Sequence, residues 1–226
     1  MSELTDRVAV VHERIAKATA RAGRRVDEIR IVAVTKRHST STVQAAVDCG
    51  LLDVGENYAQ EMLDKWKEVS GAEVRWHFIG HLQRNKAKLV VGRSWLIHCV
   101  GSLALAQAIS RQAQLQGITQ RVLVWLNIAD EATKAGIGVD GAPALVEQIG
   151  HLEHIRCEGL AAMPPATADP ESSRRWFQKV AELRGQLATV TNPLPILSLG
   201  TSNDFEVAIE EGSTLVRLGT VLFGPR

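Results

Sequence analysis

Val8, Val11, Ile15 and Ala18 recur at the three- and four-residue spacing of a single helical face. The stretch from about Leu4 to Ala22 is therefore predicted to be an amphipathic helix, closed by Gly23 as its C-terminal cap. Behind it the pattern changes. Short β-branched or apolar runs occur at Ile29–Thr35, Leu51–Val54, Val74–Ile79, Trp95–Val100, Val122–Ile128, Ile155–Ala161, Pro195–Leu199 and Thr214–Leu218. Successive runs lie roughly 20 to 40 residues apart, room for one crossover helix each, and strands alternating with helices make a parallel sheet.

Several helix ends carry capping chemistry. Ser41 precedes a segment closed by Gly50, Asn57 with Gln60 resembles a capping box, and Ser102 opens a helix ending near Gly117. Asp169 precedes the first-turn Pro170, and Asn203 with Glu206 repeats the box before a helix stopping at Gly212. Eight such units without a low-complexity linker predict one α/β domain over residues 1–226, a closed (β/α)8 TIM barrel with an extra N-terminal helix. An open doubly wound sheet is the alternative, disfavoured because no GxGxxG fingerprint follows the first strand.

Composition narrows the function classes. With 45% hydrophobic and 23% charged residues over 226 positions, the chain matches ordinary globular usage and excludes a disordered or collagenous protein. Its 26 Lys and Arg against 25 Asp and Glu leave no polybasic field, so neither nucleic acid nor anionic lipid is an expected partner. Cys49, Cys99 and Cys157 are far apart with no CxxC pair, which argues against disulfides and zinc and suits a reducing cytoplasm. The N-terminus lacks the apolar core of a signal peptide, and no apolar run approaches the ~18 residues of a membrane span.

In a parallel barrel, chemistry gathers where strands end. Lys36 directly follows the first run, where partial desolvation lowers a lysine pKa and favours a nucleophilic amine; a lysine simply reaching for water is the plainer alternative. Asn57 is either a helix cap or an amide at the mouth. Glu56 either pairs with Lys36, polarises a ligand or forms a surface ion pair. Gly80, between His77 and His81, permits close backbone approach, while two histidines alone are weak evidence for a metal. The loops Ser198–Asp204 and Arg217–Thr220 offer hydroxyls, backbone N–H groups and a fixed charge, a combination suited to phosphate after strands seven and eight. His12, His98, His151, His154 and the five tryptophans read as structural, with Trp125 among the packing anchors. The ligand should thus carry a carbonyl and a phosphate. Pyridoxal 5'-phosphate satisfies this, as does a sugar phosphate in a Schiff-base aldolase.

The segments AVTK (33–36), GENY (55–58), WHFIGHLQRNK (76–86) and LSLGTSNDFEVAIEEGSTLVRLGTVLFG (197–224) resemble the YggS/PROSC family of pyridoxal-phosphate homeostasis proteins. That resemblance implies a fold-type III barrel like the N-terminal domain of alanine racemase, with Lys36 holding the cofactor as an internal aldimine. It implies phosphate contacts at Ser202, Gly219 and Thr220, Arg217 beside the pyridine ring, and Asn57 and Gly80 along it. Thr201 stands where family members often have methionine, GLAAM (159–163) replaces a commoner GLM, and KAGIG (134–138) is close to the family pattern.

Racemases and decarboxylases of this cofactor class, as the resemblance implies, add a second β domain and a partner-subunit residue. Here the sequence stops at Arg226 after the eighth run, and its one tyrosine is Tyr58. An arginine at the pyridine nitrogen also weakens the ring as an electron sink. The expected function is a cytoplasmic, monomeric carrier or buffer of pyridoxal phosphate without catalytic turnover, passing it to apo enzymes. The alternative is a small pyridoxal-phosphate-dependent racemase or lyase.

Overall fold

The first strand, β1 (Arg30–Val34), is buried over four of its five residues, as a strand covered on both faces must be. In the computed structural model, which describes residues 3–69, 74–131 and 135–225, it follows α1 (Glu3–Arg21) and opens an alternating series. That series runs α2 (Thr40–Asp48), β2 (Asp53–Glu56), α3 (Ala59–Glu68), β3 (Arg75–Phe78), α4 (Ala87–Val90), β4 (Leu96–Val100) and α5 (Leu103–Leu115). It continues through β5 (Gln120–Leu126), α6 (Ala142–Gly150), β6 (Ile155–Ala162), α7 (Arg174–Leu187), β7 (Ile196–Thr201), α8 (Phe205–Glu210), β8 (Leu215–Leu218) and α9 (Thr220–Phe223). Each strand pairs in parallel with its neighbours in sequence, and β8 returns to β1 with Arg30 opposite Leu215 and Ala33 opposite Leu218. The sheet is a closed eight-stranded barrel, and the open doubly wound alternative is ruled out.

Three hydrophobic clusters hold it. Between barrel wall and helices, apolar residues such as Val54, Phe78, Ile109, Val124, Phe177 and Leu197 are fully or almost fully buried. The helix α1 covers the seam where the barrel closes: Val8, Val11, Ile15 and Ala18 pack with Phe205, Ile209, Val216 and Leu222. Arg14 forks onto the Glu206 carboxylate with two 2.8 Å bonds, fixing α1 against α8. Inside the barrel, Val32, Leu96, Leu123, Ala161 and Leu215 form a small apolar cluster. No helix among the described residues is long and apolar enough to cross a membrane.

Ends of elements differ from expectation where composition masks geometry. β2 continues to Glu56 and β7 to Thr201, because neighbouring strands still offer partners there: Glu56 lies opposite Phe78 and Thr201 opposite Arg217. α2 is capped by Ser39, not Ser41, whose hydroxyl accepts from the Thr42 amide. α3 begins after Tyr58 and α8 after Asp204, one residue beyond the caps expected at Asn57 and Asn203. The Asp204 carboxylate turns back to the Thr201 amide (2.7 Å) and hydroxyl (3.0 Å), closing the loop instead of capping the helix. Ser102 caps α5 as expected, and Asp169 caps the single turn Pro170–Ser173 that leads into α7.

Candidate ligand site at the C-terminal mouth of the barrel

Lys36 follows β1, and the backbone on both sides of it is tied down. The Thr35 amide continues the ladder to the Gly55 carbonyl (3.0 Å), and its hydroxyl donates to Glu56 (2.7 Å). Lys65, reaching in from α3, donates to the Thr35 carbonyl (2.8 Å) and pairs with Glu56 and Glu61 at 2.7 Å each. Glu61 also accepts from the Arg37 amide at 2.5 Å, and Arg37 sits at φ 62°, a left-handed kink held from outside. Glu56 therefore departs from the surface ion pair weighed from the sequence. It is wholly buried with Lys65 as its ion-pair partner, and burial pushes its carboxyl above the ordinary range despite Lys65 and Thr35.

At the opposite side of the mouth the loops after β7 and β8 meet. The Ser202 hydroxyl accepts from the amides of Gly219 (3.1 Å) and Val221 (3.3 Å). These amides open α9, whose first N–H groups have no intrahelical partner. Ser202, Gly219 and Thr220 thus form one patch of hydroxyl and backbone donors, drawn from two loops.

Between these ends lies Arg217, only 6% exposed. Its Nη1 donates to the carbonyl (2.5 Å) and hydroxyl (2.7 Å) of Ser198, and Nη2 to the Ala162 carbonyl (2.9 Å). Burial lowers its pKa to about 10 against an attraction to Asp204, which leaves it a cation at neutral pH. These contacts use three of five guanidinium N–H bonds. No carboxylate among the described residues forms an ion pair with it.

Asn57 lines the mouth and carries a buried Oδ1 with no hydrogen-bond partner. Gly80 stands beside it. A Cβ there would lie 2.0 Å from the Asn57 carbonyl oxygen, so the glycine lets the loop after β3 close on Asn57. Lys36, Asn57, Gly80, Ser202, Arg217, Gly219 and Thr220 all line one pocket of about 510 Å³, a volume that suits a small ligand.

Further residues of this pocket were not expected as ligand contacts. Trp125, read as a packing anchor, forms part of the wall, anchored by its Nε1 on the Ala135 carbonyl (3.0 Å) with the Arg217 guanidinium 5.6 Å from its ring centre. Alternation along β5, which turns Leu123 and Trp125 to the barrel interior, was the available signal. Cys99 also lines the pocket, and burial pushes its thiol up to about 12. Thr201 contributes to the wall while bonding Asp204. Of the KAGIG loop, Lys134 lies outside the described residues; Gly136 takes φ 125° and Ile137 bridges to Leu126. His98, read as structural, is hydrogen-bonded inside the barrel to His77 at 2.9 Å and Ser198 at 3.0 Å.

A primary amine, an anion cradle and a buried cation around one cavity suit a ligand bearing a carbonyl and a phosphate. The sequence profile described as the N-terminal domain of alanine racemase matches residues 10–226. Over 222 residues the chain is 40% identical to the pyridoxal phosphate homeostasis protein of Aquifex aeolicus, covering 98% of this chain and 97% of that one. The chain belongs to the pyridoxal phosphate homeostasis protein family, within the alanine racemase N-terminal-domain class. Another family member, from Pseudomonas aeruginosa, is 37% identical over 100% of this chain and 97% of its own. Among solved structures, PipY of Synechococcus elongatus PCC7942 with pyridoxal phosphate bound superposes with a TM-score of 0.82 at 28% identity, over 98% of this chain and 100% of that one.

Proposed function

We propose that this protein binds pyridoxal 5'-phosphate at the barrel mouth, as a Schiff base on Lys36, and serves as a carrier or buffer of the cofactor. The single observation that carries the reading is the convergence of all seven expected residues on one pocket of about 510 Å³. Each matches a part of the molecule. Lys36 supplies the amine that adds to the aldehyde with loss of water. Ser202, Gly219 and Thr220 supply donors for the phosphate. Arg217, with N–H donors to spare, would hold the ring nitrogen, and Asn57 and the close-set Gly80 would line the ring. The names of the relatives and the ligand in PipY support the same assignment.

When bound, the cofactor supplies a reactive aldehyde and an electron-withdrawing ring. The residues here favour holding it over using it. A buried arginine cation at the ring nitrogen opposes protonation there and weakens electron withdrawal. The proposal extends to a monomer working in the cytoplasm, where Cys49, Cys99 and Cys157 stay as thiols, and to apo enzymes as recipients by exchange of the Lys36 amine for theirs.

The test is absorption spectroscopy of the protein with pyridoxal phosphate, then borohydride reduction and peptide mass mapping. A visible band and a pyridoxyl adduct on Lys36, both lost in Lys36→Ala, are expected. An adduct elsewhere, or none, overturns the anchor. Exchange of an amino acid's α-proton in deuterium oxide at an enzymatic rate overturns the carrier in favour of a small racemase or lyase.

A further inference from the structure

A row of buried polar groups crosses the barrel interior beneath the pocket. Asp53 Oδ1 lies 2.9 Å from His77 Nε2, His77 Nδ1 lies 2.9 Å from His98 Nε2, and His98 Nδ1 lies 3.0 Å from Ser198 Oγ. Ser198 Oγ accepts in turn from Arg217 Nη1 at 2.7 Å. His77, His98 and Ser198 are completely buried. Parallel barrels usually fill this space with branched apolar side chains, and Val32, Leu96, Leu123 and Leu215 do so beside the row. Polar groups here are tolerated because every link is satisfied.

The chemistry of the ends gives the row one direction. Asp53 is held as an anion: burial opposes this, but Arg75 at 2.9 and 2.7 Å and His77 outweigh it and keep its carboxyl well below the usual range. It therefore accepts from His77 Nε2–H, which leaves Nδ1 as acceptor in a neutral ring. Burial favours neutrality in both histidines, and for His98 the positive charge of Arg217 adds to it. His98 then donates from Nε2 and accepts at Nδ1 from the Ser198 hydroxyl, whose lone pair receives Arg217. All donors point toward Asp53 and all lone pairs toward Arg217.

This arrangement solves a specific problem. A carboxylate in contact with Arg217 would occupy N–H groups that Ser198 and Ala162 leave unused. The row faces the buried cation with aligned dipoles instead, beside the attraction of Asp204, and leaves those N–H groups available. We propose that Asp53, His77, His98 and Ser198 are positioning residues that anchor Arg217 and orient its remaining donors toward the ring nitrogen of the bound cofactor. The inference rests on the pyridoxal phosphate reading above.

The test compares wild type, His98→Gln and His98→Leu loaded with pyridoxal phosphate, reading affinity and the absorption band of the bound form. Glutamine keeps one donor and one acceptor, so it should stay within about twofold of wild type. Leucine breaks the row and leaves the Ser198 O–H donor and the His77 Nδ1 acceptor unpaired, which should weaken affinity about tenfold and shift the band, with Lys36 still labelled by borohydride. Histidine-selective nitrogen NMR of the wild-type holoprotein gives a reading independent of any variant: both rings should be neutral with the proton on Nε2. Leucine and wild-type proteins with equal affinity and band, or a proton on Nδ1 of either histidine, overturn the proposal. Should His98→Leu not fold, Ser198→Ala cuts the same row beside Arg217 and must show the same loss. A wild-type protein that binds no pyridoxal phosphate, yet shows the stated tautomers, overturns the ligand assignment and with it the aim of Arg217, while leaving the row itself intact.

Discussion

The ammonium of Lys65 lies 2.8 Å from the carbonyl oxygen of Thr35, the residue immediately before Lys36. One buried lysine thereby sets the backbone from which another lysine projects. Its pairing with Glu56 completes the tie, and removing one member of a buried pair strands the other. Lys65→Met should lower the unfolding free energy by about 3 to 5 kcal/mol, measured by urea titration. The adduct at Lys36 should also form more slowly. An unchanged urea midpoint would show that the pair does not hold this strand end.

Stability should fall as the solution is acidified from neutrality. His77 and His98 are kept neutral in the folded protein, chiefly by burial, while unfolded histidines take up protons near pH 6.5. Their folded values are depressed, so the stability they supply is complete above about pH 6.5 and drains away as pH drops toward the folded values. Glu56 acts with the opposite sign, since its raised carboxyl stabilises the fold at low pH and loses that contribution as pH rises through the folded value. Replacing His98 by glutamine isolates one histidine. Between pH 6 and pH 5 the slope of unfolding free energy against pH should be shallower than wild type, by at most about 1.4 kcal/mol per unit. Parallel slopes would mean that His98 is already charged in the folded state.

A methyl group at Gly80 should weaken ligand binding without touching the ligand. It would meet the Asn57 carbonyl oxygen at 2.0 Å, a contact that backbone movement alone can relieve. Gly80→Ala is expected to cost about 1 to 3 kcal/mol of stability as overpacking and to displace the Asn57 loop. Calorimetric unfolding and a pyridoxal phosphate titration read the two effects. Wild-type values in both would place the glycine among the neutral positions.

Ser202 joins two loops through one oxygen. Ser202→Ala removes the acceptor for the Gly219 and Val221 amides and a donor to the proposed phosphate site. Affinity for pyridoxal phosphate should drop about tenfold, with little change in affinity for pyridoxal, which lacks the phosphate. Equal losses for both would locate the effect away from the phosphate.

The barrel was legible because each βα unit announces itself independently. A run such as Ile29–Thr35 and a helical segment closed by Gly50 are local signals, and eight in series leave little choice of topology. The mouth residues followed from position, since strand ends identify Lys36 and Arg217 once strands are found. What the sequence hid was direction inside the barrel. Glu56 reads as a surface carboxylate until Lys65 is seen folding over it from α3, a contact that depends on where α3 packs. His98 and Ser198 are a hundred positions apart in sequence, and only closure of the barrel sets them at 3.0 Å. Caps slipped for a related reason: Asn57 and Asn203 have side chains suited to capping, but Asn57 lines the pocket and Asn203 donates to the Thr167 carbonyl at 3.1 Å.

Because β8 closes on β1, the first and last thirds of the chain reach the pocket together. During synthesis Lys36 leaves the ribosome long before Ser202, Arg217 and Thr220 exist, and domains tend to fold in order of emergence. A nascent chain thus carries the Lys36 amine without the residues proposed to hold the phosphate and the ring. On the proposed reading, competence to capture the cofactor waits for the last strand to dock beside β1 under α1. Ligand capture therefore reports completed folding: a chain arrested before β8 should stay colourless however long it is exposed to pyridoxal phosphate.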